Sequence, residues 1–323
     1  MNKLHLSRYV LIVSGVFSLL PGCGGSQPPI AEPGAMPQSR TVTQQAGDLV
    51  YAGGFDRIYV LTFPEDKLVA TIHDGLDHGD LCSDADGNVF VPAHDPNANT
   101  AVIDEYAHGA TTPTRLVALP NREFGACSID PTSGSLAATE YDDSGHHGKI
   151  AIFKNATGGP QYYRIHASDA LTSCGYDNEG DLFAAGAKAP QLWELRVGDP
   201  SFKRVRFSFT LGAPERIQWD GSYLTIEEAW HRPAIHRVSI SNFKATLVGT
   251  TPLRKHGSGR RSMLASWIQG STVIATAGWR GALLMSWKYP LGGKPTRIDA
   301  RHHRWMRSVT VSVPPRWNRG KER

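Results

Sequence analysis

One short segment recurs along the chain at a nearly constant interval, and that interval constrains the fold more than any other feature. DLCSDADGNVFV, beginning at Asp80, aligns with GACSIDPTSGSLAA from Gly125 and with TSCGYDNEGDLFAA from Thr172. The alignment puts Cys82, Cys127 and Cys174 at equivalent positions, 45 and 47 residues apart. Two weaker copies, ERIQWDGSYLTI from Glu215 and SMLASWIQGSTVIATA from Ser262, keep the shape and lose the cysteine. A period in the mid-forties is that of β-propeller blades, four-stranded sheets that bury their faces only against neighbouring copies.

A second marker has the same period. EYAHGATTPTRL from Glu105, IFKNATGGPQYYRI from Ile152 and SWKYPLGGKPTRI from Ser286 each place an aromatic residue, a Gly/Thr-rich turn and a proline before the next apolar run, and Pro113 and Pro160 lie 47 apart. Apolar and polar residues alternate in RIYVLTF, TAVIDEY, KIAIFK and QLWELRV, as half-buried strands require. The Asp-Gly and Asn-Glu-Gly turns supply the positive φ of a tight hairpin. The 33 Gly and 21 Pro suit many short strands better than helices.

Full units fall at 79–121, 122–169, 170–213, 214–255 and 256–300. Residues 48–78 supply only three strands, DLVYAGG, RIYVLTF and KLVATI, and RSVTVSV at 307–313 supplies one more. Three and one make the missing blade. The expectation is therefore an all-β, six-bladed propeller over residues 48–313, with four-stranded antiparallel blades and the first blade closed by the C-terminal strand, which leaves no open sheet edge. On the LCSD…GNVFV, CS-DPTSG-LA and SCGYD-GDLF signatures the chain resembles the NHL-like six-bladed propellers, and among them a group of bacterial lipoproteins of unknown function. The resemblance implies structure and carries over no catalytic motif.

The N-terminus reads as a targeting segment. Lys3 and Arg8 precede an apolar run from Tyr9 to Leu20 that is too short to span a bilayer, and LPGC follows at Leu20 to Cys23. This resembles a bacterial lipoprotein signal with Cys23 as the lipidated, palmitate-bearing residue, although Pro21 departs from the usual small residue. A secretory signal cut nearby is the other reading. Gly24 after the cysteine points, under that resemblance, to the outer membrane or the periplasmic face of the envelope. Residues 24–47 form a Pro/Gly/Gln-rich tether and 314–323 a basic tail.

The remaining three cysteines occupy matching places on what should be the innermost strand. They are expected to be small buried thiols rather than a disulfide, because positions one blade apart should exceed the ~7 Å Cα separation that a bridge permits. Neither CxxC nor HExxH occurs.

In a propeller the loops joining successive blades and those joining the second strand of a blade to its third emerge together around one mouth of the channel. Ten of the 13 histidines fall in these loops. The densest clusters are YDDSGHHGK, with Asp142, Asp143, His146 and His147, and HDGLDHGD, with His73, Asp77 and His78 beside Asp80. Together with His94, Glu227, Glu228, His231 and Trp279 these are the candidate binding residues. Asp142, Asp143, His146 and His147 are the metal candidates, since histidine and carboxylate around a concavity suit a divalent cation or an acid–base pair. Loops are also polar simply because they meet water, and that reading stays open.

Residues 48–160 carry 17 acidic and 6 basic side chains, a net of −11, whereas residues 201–323 carry 6 acidic and 22 basic, a net of +16. Around a ring this becomes an acidic arc facing a basic one, able to steer a charged partner. The leading expectation is a non-catalytic binding or scaffold module, monomeric, held to the membrane by its lipid and taking an envelope protein, peptide or glycan at the channel mouth, with no cofactor. The alternative is a metal-dependent periplasmic hydrolase or lyase of the lactonase kind. A quinone-dependent dehydrogenase has less support. Nucleic acid is not expected despite a pI near 8.8, because an exported chain seldom meets it.

Overall fold

The computed structural model describes residues 47–315 except 142–147, 166–170, 187–189, 230–231, 255–262, 278–282 and 301–304. Cys23, the tether through residue 46 and the tail from residue 316 lie outside the described residues.

The chain opens with β1 (Leu49–Thr62) and β2 (Leu68–His78). Fourteen extended residues would span ~46 Å, yet the Phe63 N–H donates to the Asp48 carbonyl at 2.9 Å. β1 therefore doubles back near Asp56, whose φ is +62°. Its two arms are the two strands expected there, DLVYAGG and RIYVLTF.

Four-stranded meanders follow. Blade 2 comprises β3 (Cys82–Ser83), β4 (Val89–Asp95), β5 (Thr100–Tyr106) and β6 (Thr114–Pro120). Blade 3 comprises β7 (Glu123–Ile129), β8 (Leu136–Tyr141), β9 (Gly148–Phe153) and β10 (Gln161–Ile165). Blade 4 holds β11 (Leu171–Tyr176), β12 (Leu182–Gly186), β13 (Gln191–Leu195) and β14 (Lys203–Phe207). Blade 5 holds β15 (Pro214–Trp219), β16 (Leu224–Glu228), β17 (Ala234–Ser241) and β18 (Lys244–Pro252). Blade 6 holds β19 (Met263–Gln269), β20 (Thr272–Ala277), β21 (Leu283–Lys288) and β22 (Arg297–Asp299). The final strand, β23 (Met306–Ser312), pairs antiparallel with the first arm of β1, from Leu49↔Ser312 to Gly53↔Ser308. The second arm pairs with β2, so blade 1 reads β23, first arm, second arm, β2.

The first strand of each blade contacts the first strand of the next in a closed cycle: β23, β3, β7, β11, β15, β19 and back to β23. This is the six-bladed ring expected from the period. The core lies between blades. Val50, Leu61, Ile274, Leu284, Val309 and Val311, all fully or almost fully buried, pack blade 1 against blade 6, and each such aliphatic contributes about 1.5–3 kcal/mol. Blades 4 and 5 are further joined at their outer edges, where β14 and β18 pair in parallel through Arg206↔Lys244 and Phe207↔Ala245.

The expectation of three unbridged thiols does not hold. Cys82 and Cys127 form a disulfide, with Cα atoms 5.6 Å apart, and Cys174 is the free, buried thiol. Blades splay outward but converge at the axis, where β3 and β7 approach closely enough to share backbone hydrogen bonds. Asp80 N–H donates to Gly125 O at 2.6 Å and Cys127 N–H to Asp80 O at 3.3 Å. Gly79 permits this, since a Cβ there would lie 2.0 Å from the Gly125 oxygen. Substituting both Cys82 and Cys127 by serine should lower unfolding free energy by roughly 2–4 kcal/mol, measured by urea denaturation under non-reducing conditions, and reducing agent should then have no further effect.

Candidate functional site

Five of the six inner strands carry a register irregularity near the end where they begin: Phe124/Cys127, Leu171/Ser173, Pro214/Arg216, Met263/Ala265, and Gly53/Gly54 opposite β23. A bulge re-aims the side chain it carries. At the residue just past this break β11, β19 and β23 have Ser173, Ala265 and Ser308, whereas β15 has Arg216.

Arg216 is 6% exposed and crosses the channel. Its Nη2 donates to the Leu81 carbonyl at 2.6 Å, three blades away, and its guanidinium lies 5.2 Å from the Trp267 ring centre. Nη1 is 3.7 Å from Asp80 Oδ2. Glu227, its cross-strand partner, is 2% exposed and accepts the Ser266 hydroxyl at 2.7 Å through Oε2. Burial lifts the Glu227 carboxyl to about 7, against the lowering by Ser266 and Arg216. Burial likewise lifts Asp80 to about 6, opposed by Arg216. Of the two, Glu227 is the more thoroughly desolvated, because the Asp80 side chain keeps 21% of its surface exposed.

Above this floor opens a funnel of about 220 Å³ lined by Asp77, His78, Asp80, Glu123, Glu215 and Arg307. Arg307 lies 3.7 Å over the Phe55 ring and 3.7 Å from Asp77 Oδ1. His78 is buried, with Nε2 2.8 Å from Asp74 Oδ2 and no hydrogen-bond partner at Nδ1.

Of the candidate residues, Asp77 and His78 line the funnel and Glu227 sits among the charges at its floor. His73 is exposed opposite Arg57. His94 stands opposite Asp77 in register, but its Nε2 is 3.1 Å from Asn99 Oδ1 at the rim. Glu228 accepts the Gly212 N–H at 3.2 Å and lies 3.4 Å from His236 Nε2, away from the funnel. Asp142, Asp143, His146, His147, His231 and Trp279 lie outside the described residues. Among the described residues, no three His, Cys, Asp or Glu side chains gather as a metal would need, so the HDGLDHGD cluster does not form a metal cage. Arg216, Glu215 and Arg307 were not anticipated as site residues. A signal for Arg216 exists in the repeat itself: the segment from Glu215 has Arg directly before Ile217, where the copies with cysteine have Leu81, Ala126 and Ser173.

Replacing Arg216 by leucine strands Asp80 and Glu227 in the channel and should cost about 3–5 kcal/mol in a urea melt. The raised carboxyls hold protons in the folded state that the unfolded chain has already released. Their contribution to stability is therefore largest at low pH and is lost as pH rises from about 4 to about 7. Glu227→Gln should flatten that part of the stability–pH profile, with the variant gaining on the parent at pH 8 relative to pH 4.5.

No protein-family profile matches the chain, and no curated protein matches it in sequence. Among solved structures it is similar to a functionally unknown protein from Desulfotomaculum acetoxidans DSM 771, with TM-score 0.55 and 13% identity over 83% of this chain and 99% of that one. It is also similar to the Cps50 (Swd1) β-propeller domain of Myceliophteria thermophila, with TM-score 0.52 and 11% identity over 79% of this chain and 83% of that one. Likeness at such identity shows the fold, a β-propeller.

Proposed function

We propose that the chain is a lipid-anchored, extracytoplasmic binding module that performs no chemistry and takes the cationic group of an envelope peptide or protein into the funnel at the channel mouth. The observation that carries this reading is the funnel's composition. Four carboxylates, Asp77, Asp80, Glu123 and Glu215, line a solvent-open concavity with Arg307 on its wall and Arg216 beneath. Carboxylates in excess inside a low-dielectric cleft focus a negative potential and favour a positively charged guest. The buried Cys82–Cys127 bridge supports an oxidising compartment, in keeping with the LPGC segment ending at Cys23.

The test has two arms. Full-length protein produced in a two-membraned bacterium should carry lipid on Cys23 by mass spectrometry and partition with membranes, and Cys23→Ser should release it. For the funnel, a panel of lysine- and arginine-containing peptides and their acidic counterparts should separate by affinity. The double variant Asp77→Asn with Glu123→Gln, both near the surface, should weaken the basic set by about tenfold, as should raised salt. Elemental analysis with thermal shifts against Ca, Mn and Zn would support the hydrolase alternative if one metal bound per chain and was lost on replacing His146 and His147 by alanine.

A further inference from the structure

A cavity of about 480 Å³ lies between blades 4 and 5. The inner strands run away from the funnel, so the turns at the far ends of β11 and β15 place this cavity on the opposite face of the ring. One wall is acidic. Asp177, Glu179 and Asp181 come from the turn joining β11 to β12, and Glu194 comes from β13. The facing wall is neutral, with Trp219, Tyr223 and Asn242.

Glu194 is only 3% exposed. Its Oε1 accepts Arg196 Nε at 2.7 Å, whereas its buried Oε2 has no donor. Arg196 is committed elsewhere as well, lying 4.1 Å over the Phe243 ring. Asp177 Oδ1 is used by the N–H groups of Glu179 and Asp181, at 2.9 and 3.0 Å, and Asp181 Oδ1 by the Val197 N–H at 2.8 Å. Burial holds both the Glu194 and the Asp177 carboxyls above their ordinary values. The β14–β18 pairing ties the two walls into one sheet, so the cleft is preformed.

A buried acceptor without a donor, surrounded by carboxylates that outnumber the one arginine, asks for a cation rich in N–H groups. A half-exposed indole beside it offers a face on which a planar cation stacks. We propose that this cleft is a second binding site, for the guanidinium of an arginine side chain presented by a peptide or protein partner, with Glu194 and Asp177 as its anionic contacts and Trp219 as its stacking surface. The site is separate from the funnel and does not rest on it.

N-acetyl-arginine methylamide is the probe, titrated by calorimetry and tryptophan fluorescence beside its citrulline analogue and the neutral disaccharide maltose. The arginine compound should saturate the protein, and the citrulline compound should bind at least about tenfold more weakly. Trp219→Phe should remove the fluorescence change, Glu194→Gln should weaken the binding that this fluorescence reports by about tenfold or more, and Glu123→Gln in the funnel should leave the Trp219 fluorescence titration unaltered, whatever it does to a second, calorimetric phase. Equal binding of the citrulline compound, preference for maltose, or undiminished affinity in folded Glu194→Gln would each overturn the proposal. Should Glu194→Gln not fold, Asp177→Asn, which keeps an oxygen for the turn N–H groups, must show the same loss.

Discussion

The pairing of β23 with the first arm of β1 is the contact on which the rest of the ring depends. Without it both chain ends would present open sheet edges, and the faces of blades 1 and 6 would meet water. The strand is held from several sides. Val309 and Val311 are buried against Ile274 and Leu284 of blade 6. On the blade 2 side, the Ser83 hydroxyl donates to the Val311 carbonyl at 2.8 Å, Thr310 Oγ1 to Ser83 Oγ at 3.1 Å, and the Ser312 hydroxyl to the Gly87 carbonyl. Because Arg307 belongs to this strand and lines the funnel, closing the ring and completing the mouth are one event.

The channel interior is asymmetric. On one side blades 2 and 3 are stitched by backbone hydrogen bonds and the Cys82–Cys127 bridge. On the other, blade 5 has Arg216 where the copies with cysteine have the uncharged Leu81, Ala126 and Ser173, and this arginine reaches back across the axis to the Leu81 carbonyl. A buried ion cluster is a poor way to add stability, since well-packed apolar residues of similar volume do as well or better. Arg216 with Asp80 and Glu227 is better understood as fixing the potential at the base of the funnel.

The architecture was legible because the period is a global property. Each copy votes for the same blade, and the surplus strands at the two ends could only be accommodated together. Side-chain placement was not legible in the same way. Histidine enrichment in one class of loops locates residues to a face without saying where their side chains turn, and His94 toward Asn99 and Glu228 toward His236 both turned to local partners. An average blade separation does not hold at the axis, where blades come closest and the Cα atoms of Cys82 and Cys127 are 5.6 Å apart. Gly79 and Gly125, glycines ahead of both cysteines, were the available clue that backbones touch there. Arg216 was visible in the alignment as the one charged residue in its column among the copies compared, a sharper signal than any count of loop residues.

The division of charge along the chain acquires a different meaning once the ring is closed. An acidic first half and a basic last half imply a dipolar disc, but closure brings the two together. Arg307 of β23 comes to Asp77 of β2, Arg297 of β22 forms an ion pair with Asp66 at 2.7 Å, and Arg216 of blade 5 reaches Asp80 of blade 2. Exposed pairs of this kind are worth only about 0–1 kcal/mol each, but Asp66 and Arg216 are buried and their pairing is correspondingly specific. Part of the charge separation is thus consumed in matching the N-terminal half of the ring to the C-terminal half. What remains is local: carboxylates gathered in a funnel on one face and in a cleft on the other, where the surrounding protein screens them less than water would.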